Sequence, residues 1–318
     1  MDISLVSTIN TNYRVPFEIL ASSLIRAKHE STVIEWHVCT DEGCDWDAWQ
    51  MEMDRRHRSQ NASFRVHDLQ GTVSRSLPLR GRARPIMYAR LFAPELLASR
   101  TGRMLYLDAD MIGLQPIEEL WTVDLASNPC ACCQDLAIPT VSSPMAIRNH
   151  RELNLNPDNA YLNAGVLLID VRRWNERAVT ERALAYLATY REAVNLFDQE
   201  ALNAALGGDW HRISYRWNLI ASVAGRSFLD TTPLDSVDYQ ASLRQPHIVH
   251  YAGTLKPWLN PFLKGRWFDL YRAAAIQAVP QHKFCRSLKN LTQAVYDASV
   301  RRWSYRMERA LWQALRGF

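Results

Sequence analysis

Apolar and polar positions alternate in blocks along the first third of the chain. Ile3–Ser7, Val33–Thr40, Phe64–Leu69 and Met104–Leu107 are short, mostly apolar runs that read as strands. Between them Pro16–His29, Asp45–Ser59 and Tyr88–Ser99 read as helices, the first with a proline near its opening turn. This β-α-β rhythm predicts an α/β fold with a Rossmann-like, mainly parallel sheet flanked by helices. In such sheets ligands collect beyond the carboxyl ends of strands, and Asp108 and Asp110 stand at one of those ends. Farther on, Cys130–Leu136, Gly165–Asp170 and Pro246–Tyr251 read as strands, and Trp174–Tyr190 and Asp198–Leu206 as helices.

Two stretches break the rhythm. Gly71–Pro85 (GTVSRSLPLRGRARP) has no periodicity and reads as a long loop of the kind that closes over a site as a lid. Beyond Pro280, Leu288, Leu291, Val295, Trp303, Met307, Leu311 and Leu315 fall mainly three or four apart, with arginines on the other faces. That spacing predicts one or two amphipathic helices in a basic, aromatic tail over residues 280–318. Such a helix can lie in an anionic membrane interface, where each cation contributes on the order of 1 kcal/mol. The alternative is a stripe that packs back onto the preceding domain or onto a second subunit.

Composition narrows the class. At 318 residues, 47% hydrophobic and 22% charged, the chain has room for one large α/β domain and an appendage. A net charge of +4 is too small to argue for a nucleic-acid partner, and none is expected. Cysteines stand at Cys39, Cys44, Cys130, Cys132, Cys133 and Cys285. The Cys-Ala-Cys-Cys cluster lacks paired CxxC spacing and sits in an apolar run, so buried free thiols in a reducing cytosol are expected. No apolar run approaches the roughly 18 residues of a membrane span, and Met-Asp-Ile-Ser-Leu-Val carries neither a basic nor an apolar leader region.

Three local constellations carry chemistry. In Leu105-Tyr106-Leu107-Asp108-Ala109-Asp110 an apolar strand delivers two carboxylates, one residue apart and on the same side of an extended chain, to the sheet edge. Both can reach one hard divalent cation, although two acids in a solvated turn would look the same. In His250-Tyr251-Ala252-Gly253-Thr254-Leu255-Lys256-Pro257-Trp258 the strand-end imidazole can add a nitrogen ligand, one that suits Mn²⁺ better than Mg²⁺. Gly253 would admit a phosphate close to the backbone and Lys256 offers it a point charge; a satisfied strand-end histidine beside a surface lysine is the plainer alternative. Tyr161-Leu162-Asn163-Ala164-Gly165-Val166 and Phe197-Asp198-Gln199-Glu200 place small residues and amides where a sugar could dock, with helix N-capping the simpler role for Asp198.

Taken in this order the motifs resemble glycosyltransferase family 8, in particular its bacterial lipopolysaccharide galactosyl- and glucosyltransferases, with glycogenin more distant. The likeness runs over about residues 1–270 and includes the Tyr88-Ala89-Arg90 triplet. It implies a GT-A fold, with residues 1–279 as the catalytic domain. It implies a retaining transfer of a hexose, galactose or glucose, from a UDP-hexose donor to a saccharide or glycolipid acceptor with Mn²⁺, Mg²⁺ being possible. Asp108, Asp110 and His250 then stand as metal ligands, with Ala109 between them at the donor. Tyr13 corresponds to an aromatic stacked on uracil, Asn10 to a base or ribose contact, and Arg90 to a donor-sugar or diphosphate contact. Asn163, Ala164, Asp198 and Gln199 correspond to residues around the hexose, Gly253 and Lys256 to diphosphate contacts, and Asp135 to an acid near the reacting sugars. Asp135, Asp198 and Gln199 are thus the expected catalytic group. The chain departs from the family at Ser7-Thr8-Ile9-Asn10, where an aspartate is common.

A lipopolysaccharide or other cell-surface glycan is the expected acceptor, and the inner face of the cytoplasmic membrane the expected place of work. Competing readings are a glycogenin-like or galactinol-type transferase acting on a protein or small molecule, a nucleotidyltransferase, and a non-catalytic nucleotide-sugar sensor. Nucleotidyltransferases also use strand-end carboxylates, but seldom with a strand-end histidine near Gly-x-x-Lys.

Overall fold

A computed structural model describes residues 1–43, 45–69, 77, 84–226, 234–260 and 262–281. The expected lid therefore lies outside the described residues apart from Leu77, Arg84 and Pro85, and so does the expected tail helix beyond 281.

The alternation of apolar runs and helical segments folds as a seven-stranded sheet in the order β3-β2-β1-β4-β7-β6-β8. Strands β1 (Asp2–Thr8), β2 (Val33–Thr40), β3 (Ala62–Asp68) and β4 (Arg103–Leu107) are mutually parallel, with β1 between β2 and β4. Helices α1 (Arg14–Ala27), α2 (Asp47–His57) and α3 (Pro85–Leu97) make the crossovers. Pro85 sits at the start of α3, where a missing N–H has no partner to lose.

The second half reverses direction. Strand β7 (Leu162–Asp170) runs antiparallel to β4, and β6 (Cys130–Gln134) antiparallel to β7, before β8 (His211–Arg212) closes the edge parallel to β6. A smaller sheet of β5 (Met111–Gly113), β10 (Ile248–His250) and β9 (Leu219–Ile220) crosses the carboxyl end of β4. The sheet is thus mixed and mainly parallel.

Two apolar layers cover the sheet. Leu5, Leu105, Leu107, Val166 and Leu168 face one layer, and Val6, Met104, Tyr106, Leu167 and Ile169 the other. Each such fully buried aliphatic side chain contributes roughly 1.5–3 kcal/mol relative to exposure. The pleat also divides the cysteine cluster, with Cys130 and Cys132 in one layer and Cys133 in the other. All three, with Cys39, are buried free thiols, and burial pushes Cys39 up to about 12 and Cys132 and Cys133 well above the usual thiol range.

One expected helix is two. Trp174–Tyr190 breaks into α5 (Val171–Glu176) and α6 (Val179–Thr189), separated by Ala178 in a left-handed conformation at φ 49°. Thr180 Oγ1 accepts from the Trp174 indole at 2.9 Å and donates to the Leu91 carbonyl at 2.7 Å, which ties the corner to α3. Apolar spacing runs straight through this corner, so periodicity does not reveal it. Helices α4 (Glu118–Trp121), α7 (Phe197–Leu206) and α8 (Ser236–Arg244) complete the first of two compact units, Met1–Leu255. The second, Lys256–Phe318, contains α9 (Arg266–Ala278), on which Tyr271 packs 5.9 Å from the Trp258 ring.

Candidate active site

The site begins where β4 stops. The Asp108 N–H donates to the Gly165 carbonyl of β7 at 2.9 Å, one rung beyond the last β4–β7 pair, and the chain then passes into β5. Strand β5 pairs antiparallel with β10, His250 opposite Met111, and the Tyr251 N–H donates to the Asp110 carbonyl at 2.8 Å. This pairing lays the histidine against the two acids. His250 Nε2 lies 3.2 Å from Asp110 Oδ1 and 3.7 Å from Asp108 Oδ2, and ligand atoms of all three lie within 4.8 Å of one another. Two carboxylates and an imidazole converging in that space fit a divalent ion. Among the described residues no other group of three acids, histidines or cysteines converges in this way.

Arg90 on α3 organises the acids. Its Nη2 stands 2.8 Å from Asp108 Oδ1 and its Nε 2.7 Å from Asp198 Oδ2, while Nη1 donates to the Ala164 carbonyl at 2.6 Å. The guanidinium also lies 4.6 Å over the Tyr106 ring, whose hydroxyl donates to Asp108 Oδ1 at 2.9 Å. With Oδ1 held by Arg90 and Tyr106, Asp108 turns its other oxygen to His250. Burial pushes the Asp198 carboxyl up to about 6; Arg90 opposes the rise and Asp108 adds to it. Burial works against the Arg90 charge as well, but Asp108 and Asp198 outweigh it and hold the guanidinium firmly protonated. Asp198 is not the helix cap that local reading allowed: Leu196 is the N-cap of α7, and Asp198 lies buried inside its first turn.

Beside the acids lies a hydrogen-bonded floor. Cys132 of β6 faces Leu167 but Gln134 faces Leu162, so five steps of β7 oppose two of β6, and Asn163, Ala164 and Gly165 fall in the resulting bulge. Bulges re-aim side chains that regular pleating would alternate. Asp135 accepts from the Ala137 and Ile138 N–H groups at 2.8 and 3.0 Å, from Asn163 Nδ2 at 2.7 Å and from Gln199 Nε2 at 3.2 Å. Gln199 Oε1 in turn accepts the Ala164 N–H at 3.1 Å. Four donors match the roughly four lone-pair sites of a carboxylate, so Asp135 anchors this floor.

The remaining expected residues are placed less tightly. Asn10 accepts the Tyr13 N–H at 3.2 Å and so caps the short turn after β1 that carries Tyr13. Ala109 is buried in the apolar layer, which leaves only its backbone for a ligand. Gly253 has φ +84° with open space around it, so conformation rather than crowding favours glycine there. Lys256 belongs to the second unit, where its ammonium lies 5.3 Å from the Trp258 ring centre. Sequence reasoning missed Tyr106 and Asn218. The Asn218 carboxamide oxygen stands 2.8 Å from His250 Nδ1, and no motif announces it.

Residues 4–261 match the family model described as glycosyl transferase family 8. The chain belongs to that family. General stress protein A of Bacillus subtilis (strain 168) is 29% identical to this family 8 member over 187 residues, 58% of this chain and 62% of the relative. The lipopolysaccharide 1,2-glucosyltransferase of Escherichia coli (strain K12) is 28% identical over 179 residues, 54% of this chain and 48% of the relative. The matched part thus spans about half to three fifths of these curated relatives. A crystal structure of the galactosyltransferase LgtC with donor and acceptor sugar analogues has a TM-score of 0.72 at 22% identity, covering 90% of this chain and 99% of that one. This likeness establishes the GT-A fold for the family 8 chain.

Proposed function

We propose that this family 8 chain is a retaining glycosyltransferase that moves a hexose from a UDP-sugar to a saccharide acceptor with a divalent ion, preferably Mn²⁺. The observation that carries the reading is the convergence of Asp108, Asp110 and His250 within 4.8 Å, beside the Arg90–Asp198 pair. An ion held by these three side chains supplies positive charge against the negative charge that grows on a departing diphosphate. Arg90 pairs with Asp108 and Asp198 and holds both in place, and Asp135 pins Asn163 and Gln199 at the edge where the hexose would rest. Asn10 and Tyr13 serve the base, and Gly253 the diphosphate.

Retention follows if the acceptor attacks the face that the leaving group departs from, with the departing phosphate oxygen taking the acceptor's proton and Asp198 and Gln199 positioning the sugar. The lipopolysaccharide glucosyltransferase among the relatives supports a glycan acceptor. No helix among the described residues is long and apolar enough to cross a membrane. A peripheral position at the inner membrane face, reached through residues 280–318, would bring enzyme and glycolipid acceptor onto one surface.

The experiment is release of UDP from UDP-galactose, UDP-glucose and UDP-N-acetylhexosamines in Mn²⁺, Mg²⁺ or EDTA. Release from at least one donor, lost in EDTA, is expected. With a UDP-α-hexose, the anomeric proton coupling of the product should report an α-glycoside; a β-glycoside overturns retention. Tight UDP binding without any turnover would instead make the protein a nucleotide-sugar sensor.

A further inference from the structure

We propose that Asn218 is a positioning residue that sets the tautomer and ring angle of His250, through a one-way hydrogen-bond chain ending on Asp135. The inference rests on Asp108, Asp110 and His250 being a cation site.

The direction of the chain follows from its fixed end. Asn163 Oδ1 receives the Gly165 backbone N–H at 3.0 Å, and a backbone N–H can only donate. Its Nδ2 meets Asp135 Oδ2 at 2.7 Å, on a carboxylate that already accepts from Ala137, Ile138 and Gln199. The Asn163 amide can therefore face only one way. Asn218 meets that same Asn163 Oδ1 at 2.7 Å, so its own NH₂ must point there and its oxygen must point to His250 Nδ1 at 2.8 Å. An oxygen facing Nδ1 calls for a proton on Nδ1. Nε2 is then the nitrogen turned to Asp110 and Asp108, 3.2 and 3.7 Å away, on the side where a cation would sit.

Donation thus runs from His250 to Asn218 to Asn163 to Asp135. Each link polarises the next, so the Asp135 charge is felt at the imidazole two amides away. Asn218 and Asn163 are 1% and 6% exposed, which leaves water little chance to replace either link. Sterics complete the setting. A Cβ on Gly165 would lie 2.6 Å from His250 Cε1 and 2.8 Å from Nδ1, so the ring occupies space that only glycine leaves open. Without Asn218 a neutral imidazole would favour the proton on Nε2, the nitrogen that must be bare to bind a cation.

The test is ¹⁵N NMR of the metal-free full chain, with His250 signals identified by their loss in His250→Gln, together with calorimetric Mn²⁺ titration. In the wild type Nδ1 should carry a proton. Asn218→Leu should move the proton toward Nε2 and weaken Mn²⁺ binding by about 10- to 100-fold. Asn218→Asp keeps an acceptor against Nδ1 and should retain the Nδ1 proton, while the oxygen it sets against Asn163 Oδ1 breaks the onward link and should lower the melting temperature. A wild type with no proton on Nδ1 overturns the proposal without recourse to any variant. So does a folded Asn218→Leu protein with unchanged tautomer and Mn²⁺ affinity. A wild type with the expected tautomer but no Mn²⁺ binding refutes the cation site and leaves the hydrogen-bond chain standing.

Discussion

Asp110→Asn is expected to lower UDP release by roughly a hundredfold or more, about 2.7 kcal/mol of lost barrier reduction. The substitution keeps the shape of the side chain and leaves the Asp110 carbonyl free to accept from Tyr251. What it removes is one of two negative charges facing His250 Nε2, and it can set an NH₂ donor against a cation. In the metal-free protein the fold should hold, because fewer acids then crowd the end of β4. The rise in melting temperature that Mn²⁺ gives the wild type should disappear with the ligand. The measurement is turnover at saturating Mn²⁺ alongside thermal melts with and without the ion. Full turnover by the variant, or wild-type turnover in EDTA, removes the metal assignment.

Arg90→Met should cost about 3–5 kcal/mol of folding stability at pH 8, because it strips the cation from two carboxylates in a nearly water-free setting. Arg90 and Asp198 side chains are 11% and 6% exposed, so solvent screens this pair little. A domain with ~5–15 kcal/mol in all would lose a large share of it. The cost should depend on pH in a stated direction. Burial pushes the Asp198 carboxyl up to about 6 in the folded chain, from an ordinary value near 4, so it penalises folding increasingly as pH rises from about 4 to about 6 and fully above that. Arg90 opposes the shift; without it the folded value climbs further and the penalty continues to grow past pH 6. Urea unfolding should therefore show a smaller deficit at pH 5 than at pH 8. Equal deficits at the two pH values would mean that lost packing over Tyr106, not unpaired charge, is the cause.

Much of the site was legible as local pattern. The apolar run ending in two acids is strand β4 and its exit, the last apolar run ends in His250, and Asp198 and Gln199 open α7. Each of these is written in consecutive residues, where the side-chain periods of strand and helix can be read. The polar residues that hold the site together are harder to see. Asn218 stands between a three-residue turn and the two-residue strand β9, too short for any period to show. The lid and the tail helix expected from composition fall outside the described residues.

By itself, the sequence determined the parallel half of the sheet, the crossover helices, and which strands end in Asp108, Asp110 and His250, since burial patterns and strand-end charges are properties of neighbouring positions. Tertiary structure alone decided the reversal at β7, the bulge that aims Asn163 and Ala164, and the β5–β10 pairing that carries His250 to the acids. It also decided that one arginine bridges Asp108 and Asp198. These depend on register between segments far apart in the chain, and register is set by which hydrogen bonds and packed faces can be satisfied together.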